Sequence, residues 1–456
     1  MTSSENSSAV AELLTLAEDV LARLTKGGAS EAKVVARAGQ DLSVRVRLDE
    51  VELVEEAGTR SLSVRAAKGK RVATAGTSDM TPAGIERVVR DALELCDLSQ
   101  EDPYAGLPDP SELAIDVPDL ALFDPACDGV RAAEAVARCQ RAERAAREYD
   151  PRITNSEGAS FGRASGAFAV ATSGGFRGGY RGSYASLSVS PVADDADGKK
   201  RTSGYWTSRR QLALLEDEVA VGREAARRTL RMLGAKKIPT GSYPVVFERD
   251  AARSLIGNFA GCIVGDSIYR RSSYLLDRVG TQVASELLTI VDDPLIPSGP
   301  GSRPFDGDGL PSRRNAVVTA GKLETYLLDT YSARKLGLKS TGSAAGMTGT
   351  GAGTSNFVVK AGETPAADVI KQTKRGLYVT QMMGFGFNAV TGDFSRGASG
   401  YWIEDGELAY PVSEVTISLN FDKLLKSIDL LGDDLDFKSS IVVPSFRVAE
   451  MTVAGS

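Results

Sequence analysis

The stretch Met383–Leu419, MGFGFNAVTGDFSRGASGYWIEDGELAYPVSEVTISL, constrains the fold more than any other part of the chain. It opens on a Gly-rich bend at Gly384 and Gly386, where glycine makes a tight backbone turn cheap. Asn388 to Phe394 then carries a corner at Thr391, Gly392 and Asp393. Tyr401, Trp402 and Ile403 form one apolar run and Leu408 to Val412 a second, joined by Asp405-Gly406, a strong short-range signal for a β-hairpin. Val415, Ile417 and Leu419 alternate as in a strand with one buried face. The stretch holds no His, Cys or Lys, so it reads as a shaped surface more than a reaction centre. Gly386, Asn388, Thr391, Gly392 and Asp393 are its candidates for lining a substrate cleft.

At 456 residues the chain exceeds the roughly 250–300 residues that one hydrophobic core supports, so several domains are expected. The formal net charge is −6, and no Lys/Arg face with interleaved aromatics is evident, which argues against nucleic-acid binding. The start, MTSSENSSAVAELL, lacks the basic and apolar regions of a signal peptide, and no segment approaches the roughly 18 apolar residues of a membrane helix. Four scattered cysteines without a C-x-x-C pair suggest reduced thiols in a cytoplasm. The chain contains no histidine. Ser-His-Asp and Cys-His catalysis in cis are therefore excluded, and the commonest zinc ligand is missing. Without histidine, stability is also expected to change little between about pH 6 and 8.

The pattern along the chain implies an α+β protein: an N-terminal α/β domain (1–100), a Pro-rich linker (101–125), a middle α/β segment (126–236) and a C-terminal β-rich domain (237–456). In the first, an amphipathic helix over Ala9–Leu24 precedes short strands near 32–37, 42–48, 51–55, 62–67 and 71–75. A helix opened by Thr81-Pro82 follows them. The middle segment reads as a helix over Val130–Tyr149, glycine-rich antiparallel strands over Ser165–Ser190, a turn at Asp197-Gly198 and a helix over Leu212–Leu233. The C-terminal domain starts with a strand over Tyr243–Phe247 and a helix over Arg249–Gly265.

That last helix carries Gly257, Gly261 and Gly265 on one ridge, although each mid-helix glycine costs about 1 kcal/mol relative to alanine. Either another element packs closely there, or the ridge is a substrate or subunit surface. Asp306 and Asp308 invite a metal, but the glycine and ligand pattern of a calcium loop is missing, and solvated turn carboxylates are the expectation. Ser340–Ser355, STGSAAGMTGTGAGTS, fails as a nucleotide loop because no Lys-Ser/Thr follows and a strand comes next.

Several motifs in order resemble the TldD/PmbA family, and within it the TldE (PmbA) branch: YRRSSYLLD from Tyr269, LTIVDDP from Leu288, YSARKLG from Tyr331, Ser340-Thr-Gly342, GDFSRG from Gly392 and YPVSEVTI from Tyr410. The likeness is strongest over about 240–455. It implies a C-terminal domain with a barrel-like chamber. It also implies kinship with a zinc metallopeptidase, the TldD branch, whose helix carries His-Glu-x-x-x-His and which has a distant Cys ligand. In this sequence those helix positions fall at Ile256, Gly257 and Gly261, and no Cys follows Cys262. The resemblance thus implies a catalytically silent subunit, with no catalytic residue or metal of its own and zinc in a TldD-type catalytic partner. The pair would process peptides, including leader-peptide removal.

Two rivals stay open: a non-proteolytic binding or regulatory protein, and an independent hydrolase using carboxylates or Lys, for which Asp266, Asp292, Asp293 and Asp393 are the candidates.

Overall fold

The computed structural model describes residues 3–196, 198–346 and 351–455. Its first half is organised on one antiparallel sheet. Helix α1 (Ser3–Lys26) buries Ala17, Val20, Leu21 and Leu24. Strands β1 (Glu31–Arg47) and β2 (Glu50–Lys68) then form one long hairpin, followed by β3 (Arg71–Thr77) and α2 (Pro82–Leu98). The short runs expected from sequence are continuous, because Gly39 and Gly58 sit inside the ladder, opposite Thr59 and Gln40. Thr81 caps α2 through its hydroxyl, which accepts from Gly84 N at 3.2 Å. After the Pro-rich stretch come α3 (Pro125–Gly129), α4 (Ala132–Arg147), β4 (Ile153–Thr172), β5 (Arg177–Asp194), β6 (Lys200–Thr202), β7 (Tyr205–Arg209) and α5 (Glu218–Leu230). Helix α5 starts later than its apolar pattern suggests, because the Asp217 carboxylate takes Val219 N and Ala220 N and fixes the first turn there. Of the turn expected at Asp197-Gly198, Asp197 lies outside the described residues.

The strand order is β3-β2-β1-β4-β5-β6, with β7 also on β5. Strand β1 pairs with β4 from Lys33–Thr172 to Val46–Ala159, so residues before and after the Pro-rich stretch share one sheet. Side chains alternate across it. On one face Val34 and Ala36 join the core with α1 and α2, while Leu42, Val44 and Val46 join that with α4 and α5. The opposite face meets the C-terminal half, where Phe168, Phe176 and Tyr180 surround Phe305 with ring centroids 4.8 to 6.1 Å from it.

The C-terminal half runs through β8 (Gly241–Phe247), α6 (Arg249–Cys262), α7 (Gly265–Tyr269), β9 (Ile290–Asp292), β10 (Asn315–Thr319), β11 (Lys322–Leu323), α8 (Thr330–Leu336), β12 (Phe357–Val359) and α9 (Ala366–Lys371). It ends with β13 (Arg375–Met383), β14 (Asp393–Glu404), β15 (Glu407–Asn420), α10 (Phe421–Lys426), β16 (Ile428–Leu431), β17 (Ile441–Val442) and β18 (Phe446–Ala454). Strands β15-β14-β13-β8-β18 pair in that order, and β15 also pairs with β18, which closes a five-stranded barrel. The Asp405-Gly406 turn joins β14 to β15 with φ of 51° and 80°, the positive pair a tight hairpin turn needs. A second sheet, β11-β10-β9-β12-β17, stands beside the barrel. The protein is therefore mixed α and β with a closed barrel in its C-terminal region, as the sequence leads one to expect.

Candidate functional site

Helix α6 buries Leu255, Ile256, Phe259 and Cys262 in the core of the C-terminal half. The helical repeat then presents Arg253, Ser254, Gly257, Asn258 and Gly261 on the other side. Ile256 is 0% exposed and belongs to the core, not to this face. At Gly261 a Cβ would meet nothing within 4 Å, and at Gly257 only Ile441 Cδ1, at 3.3 Å. Gly265 differs from both. It opens α7, where a Cβ would collide with Ser332. The glycine ridge thus divides into one close contact at Gly265 and an open face at Gly257 and Gly261.

This face does not fit a zinc ion. Glycine and isoleucine side chains bring no donor atom, and burial pushes the Cys262 thiol up to about 12. Among the described residues no group of three His, Cys, Asp or Glu is placed to hold a metal.

Arg396, on β14, reaches the same face. Its Nη1 donates to Ser254 Oγ at 2.6 Å, while its buried Nε has no hydrogen-bond partner among the described residues. Burial lowers its pKa, and among the described residues no carboxylate opposes that shift. The cations around the first turn of α6 are compensated. Arg253 pairs with Asp250 at 2.9 Å and lies 5.4 Å from the Trp206 ring centre. Lys438 stands 3.6 Å from both Asp250 and Asp436. Arg228 holds Glu248 at 3.1 Å. Sequence reasoning missed Arg396; the one signal was its place in the GDFSRG motif, flanked by small residues.

The five cleft candidates occupy the loop between β13 and β14 and the start of β14. Gly384 and Gly392 take positive φ (80° and 77°), and a Cβ on Gly386 would collide with the Ser395 carbonyl. The polar side chains bind their own loop. Asn388 Oδ1 accepts from Val390 N at 2.9 Å, Thr391 Oγ1 donates to Asp393 Oδ2 at 2.7 Å, and Asn420 Nδ2 donates to Asp393 Oδ1 at 3.2 Å. The bonds from Thr391, then Asn420, hold the Asp393 carboxyl below its usual range. What projects is apolar: Met383, Val390 and Phe385, the last with a relative exposure of 106%. The loop touches the α6 face through Arg396, whose Cγ lies 3.4 Å from the Cβ position of Gly386.

The remaining carboxylates are dispersed. Asp266 lies on α7, with its pKa raised by burial and then by Asp329, and its Oδ1 is unpartnered. Asp292 ends β9, and burial pushes it up to about 6. Asp293 accepts from Leu295 N at 3.0 Å and pairs with Arg314 at 3.4 Å. Asp306 and Asp308 are not the solvated turn residues expected from sequence: they are 0% and 8% exposed. Asp306 takes the amides of Asp308, Leu310 and Ala344, and Asp308 takes that of Thr330. They are buried because a Gly- and Pro-rich loop without regular structure needs acceptors for its inward-pointing N–H groups.

Three family models match in sequence order: PmbA/TldA metallopeptidase domain 1 over residues 32–96, the central domain over 125–233 and the C-terminal domain over 240–455. The chain is 38% identical to Metalloprotease PmbA of Escherichia coli O157:H7, over 97% of this chain and 96% of that one. It is 36% identical to a Metalloprotease PmbA homolog of Haemophilus influenzae, over 95% and 94%. Among solved structures, one from Bacteroides thetaiotaomicron superposes with a TM-score of 0.91 at 26% identity, covering 97% of this chain and 98% of that one. TldE from Thermococcus kodakarensis shares the fold with a TM-score of 0.86 at 21% identity, covering 96% and 99%.

Proposed function

The chain belongs to the PmbA/TldD metallopeptidase family, and from that premise we propose that it is the catalytically silent subunit of a heteromeric zinc peptidase. One observation carries this reading. The α6 positions that resemble the zinc helix hold a core isoleucine and two side-chain-free residues, Ile256, Gly257 and Gly261. A metallopeptidase needs ligands, a general base and a metal-activated water. A TldD-type partner bearing His-Glu-x-x-x-His supplies these, and zinc belongs to that partner. This chain contributes a wall of the peptide cleft and part of the assembly surface. The glycine-built tip with Met383, Phe385 and Val390 supports that role, because exposed apolar groups gathered on one loop suit a partner surface.

The pair trims peptides, for example by removing leader segments, in the cytoplasm. Four free, buried cysteines agree with a reducing setting. Among the described residues no helix is long and apolar enough to cross a membrane. Metal analysis of the isolated, dialysed chain tests the proposal: zinc should be far below one per chain, and one tightly held zinc per chain overturns it.

A further inference from the structure

We propose that the open face of α6 and Arg396 together bind the C-terminal carboxylate of an extended peptide. The inference rests on the reading that this chain handles peptides, and it assigns the silent helix a binding task. Arg396 is a half-buried cation with no ion pair among the described residues, whereas Arg253, Lys438 and Arg228, around the first turn of α6, are all paired. A guanidinium matches a carboxylate with two parallel N–H donors, the strongest common form of that contact. Ser254 fixes its orientation by accepting from Nη1 at 2.6 Å. The same hydroxyl keeps its own O–H to donate to a second oxygen.

The floor decides which carboxylate fits. Among the described residues nothing lies within 4 Å of the Cβ position of Gly261 and only Ile441 approaches that of Gly257, so a ligand main chain can lie directly against the helix. Asn258, on the same face, makes no side-chain hydrogen bond among the described residues and can serve a peptide group. From Ser254 to Gly261 the helix rises about 10 Å, the length of about three extended residues. A side-chain carboxylate would hold its main chain away from this floor. A terminal carboxylate lets the last three residues lie on it.

The test is fluorescence anisotropy with the full chain and three N-terminally fluorescein-labelled probes: hexa-alanine as the free acid, its C-terminal amide, and the amide with one internal glutamate. The free acid should bind at least tenfold more tightly than either amide. Arg396→Gln should abolish that preference. Gly261→Leu, placed where there is open space, should melt no lower than the wild type and weaken the free acid at least tenfold. Equal affinity for acid and amide overturns the assignment. So does a preference that survives Arg396→Gln, a glutamate-bearing amide that matches the acid, or a folded Gly261→Leu that binds normally. No cleavage is involved, so failure here leaves the silent-subunit reading standing, which zinc content and mixed-subunit cleavage test separately.

Discussion

Asp292 is 1% exposed, and its Oδ1 accepts from Ser355 N at 2.6 Å. Burial outweighs that bond and the Arg303 charge, and the carboxyl rises to about 6. Asp306, buried beside Asp308, rises to about 7. A folded pKa above the unfolded one stabilises fully below the unfolded value and loses that contribution as pH rises through the folded value. The protein should therefore lose stability between about pH 4 and 7, against the flat profile near neutrality expected of a histidine-free chain. Composition missed this because the burial of these carboxylates is tertiary. Asp292→Asn keeps an acceptor for Ser355 N and should remove its share of the slope, on the order of 3 kcal/mol across its window. Urea unfolding at several pH values checks this; a variant whose profile runs parallel to that of the wild type contradicts it. Gly392 is a second single-residue case. With φ at 77°, Gly392→Val carries backbone strain of about 1–3 kcal/mol, which should appear as faster amide exchange across 384–396.

Helix α6 shows what periodicity reveals and what it leaves out. Its start and apolar face were legible in Leu255, Ile256 and Phe259, all buried. Its end was not, because Val264 is extended and Gly265 begins α7. The three glycines also look alike in sequence. Their environments oppose each other, and two substitutions separate them. Gly261→Ala should stabilise by roughly 0.5–1 kcal/mol, the helix-propensity gain with no clash. Gly265→Ala should destabilise, because Ser332 occupies the space a methyl would take. Thermal melts of the pair decide it, and equal effects of one sign contradict the division of the ridge. The β13–β14 loop teaches the same lesson. Its glycines and corner residues were read as a cleft lining, yet Asn388, Thr391 and Asp393 hydrogen-bond within the loop and leave Phe385 to project. Hydrogen bonding inside a loop leaves no periodic trace.

At the level of the whole molecule, the α+β class was legible in the pattern of elements, and the barrel-like C-terminal region through the resemblance to the TldD/PmbA family. The pairings that join distant segments were not. Strand β1 binds β4 across more than a hundred residues of sequence, and the barrel closes through Thr416–Ala454 and its neighbours. Lys33 ties the two halves together: it is 2% exposed, donates from Nζ to the Gly307 carbonyl and lies 4.0 Å from Asp308. Lys33→Met leaves Asp308 buried without its cation and should cost about 3–5 kcal/mol in chemical denaturation. An unchanged midpoint would show that this link is not structural. If α6 presents a surface where a TldD-type chain holds zinc, as proposed above, activity belongs to the assembly. Peptide cleavage by this chain alone, by a TldD-type chain with His-Glu-x-x-x-His alone, and by the two mixed tests it most directly. This chain alone should leave peptides intact, and full cleavage should appear only in the mixture. Robust cleavage by this chain alone would contradict it.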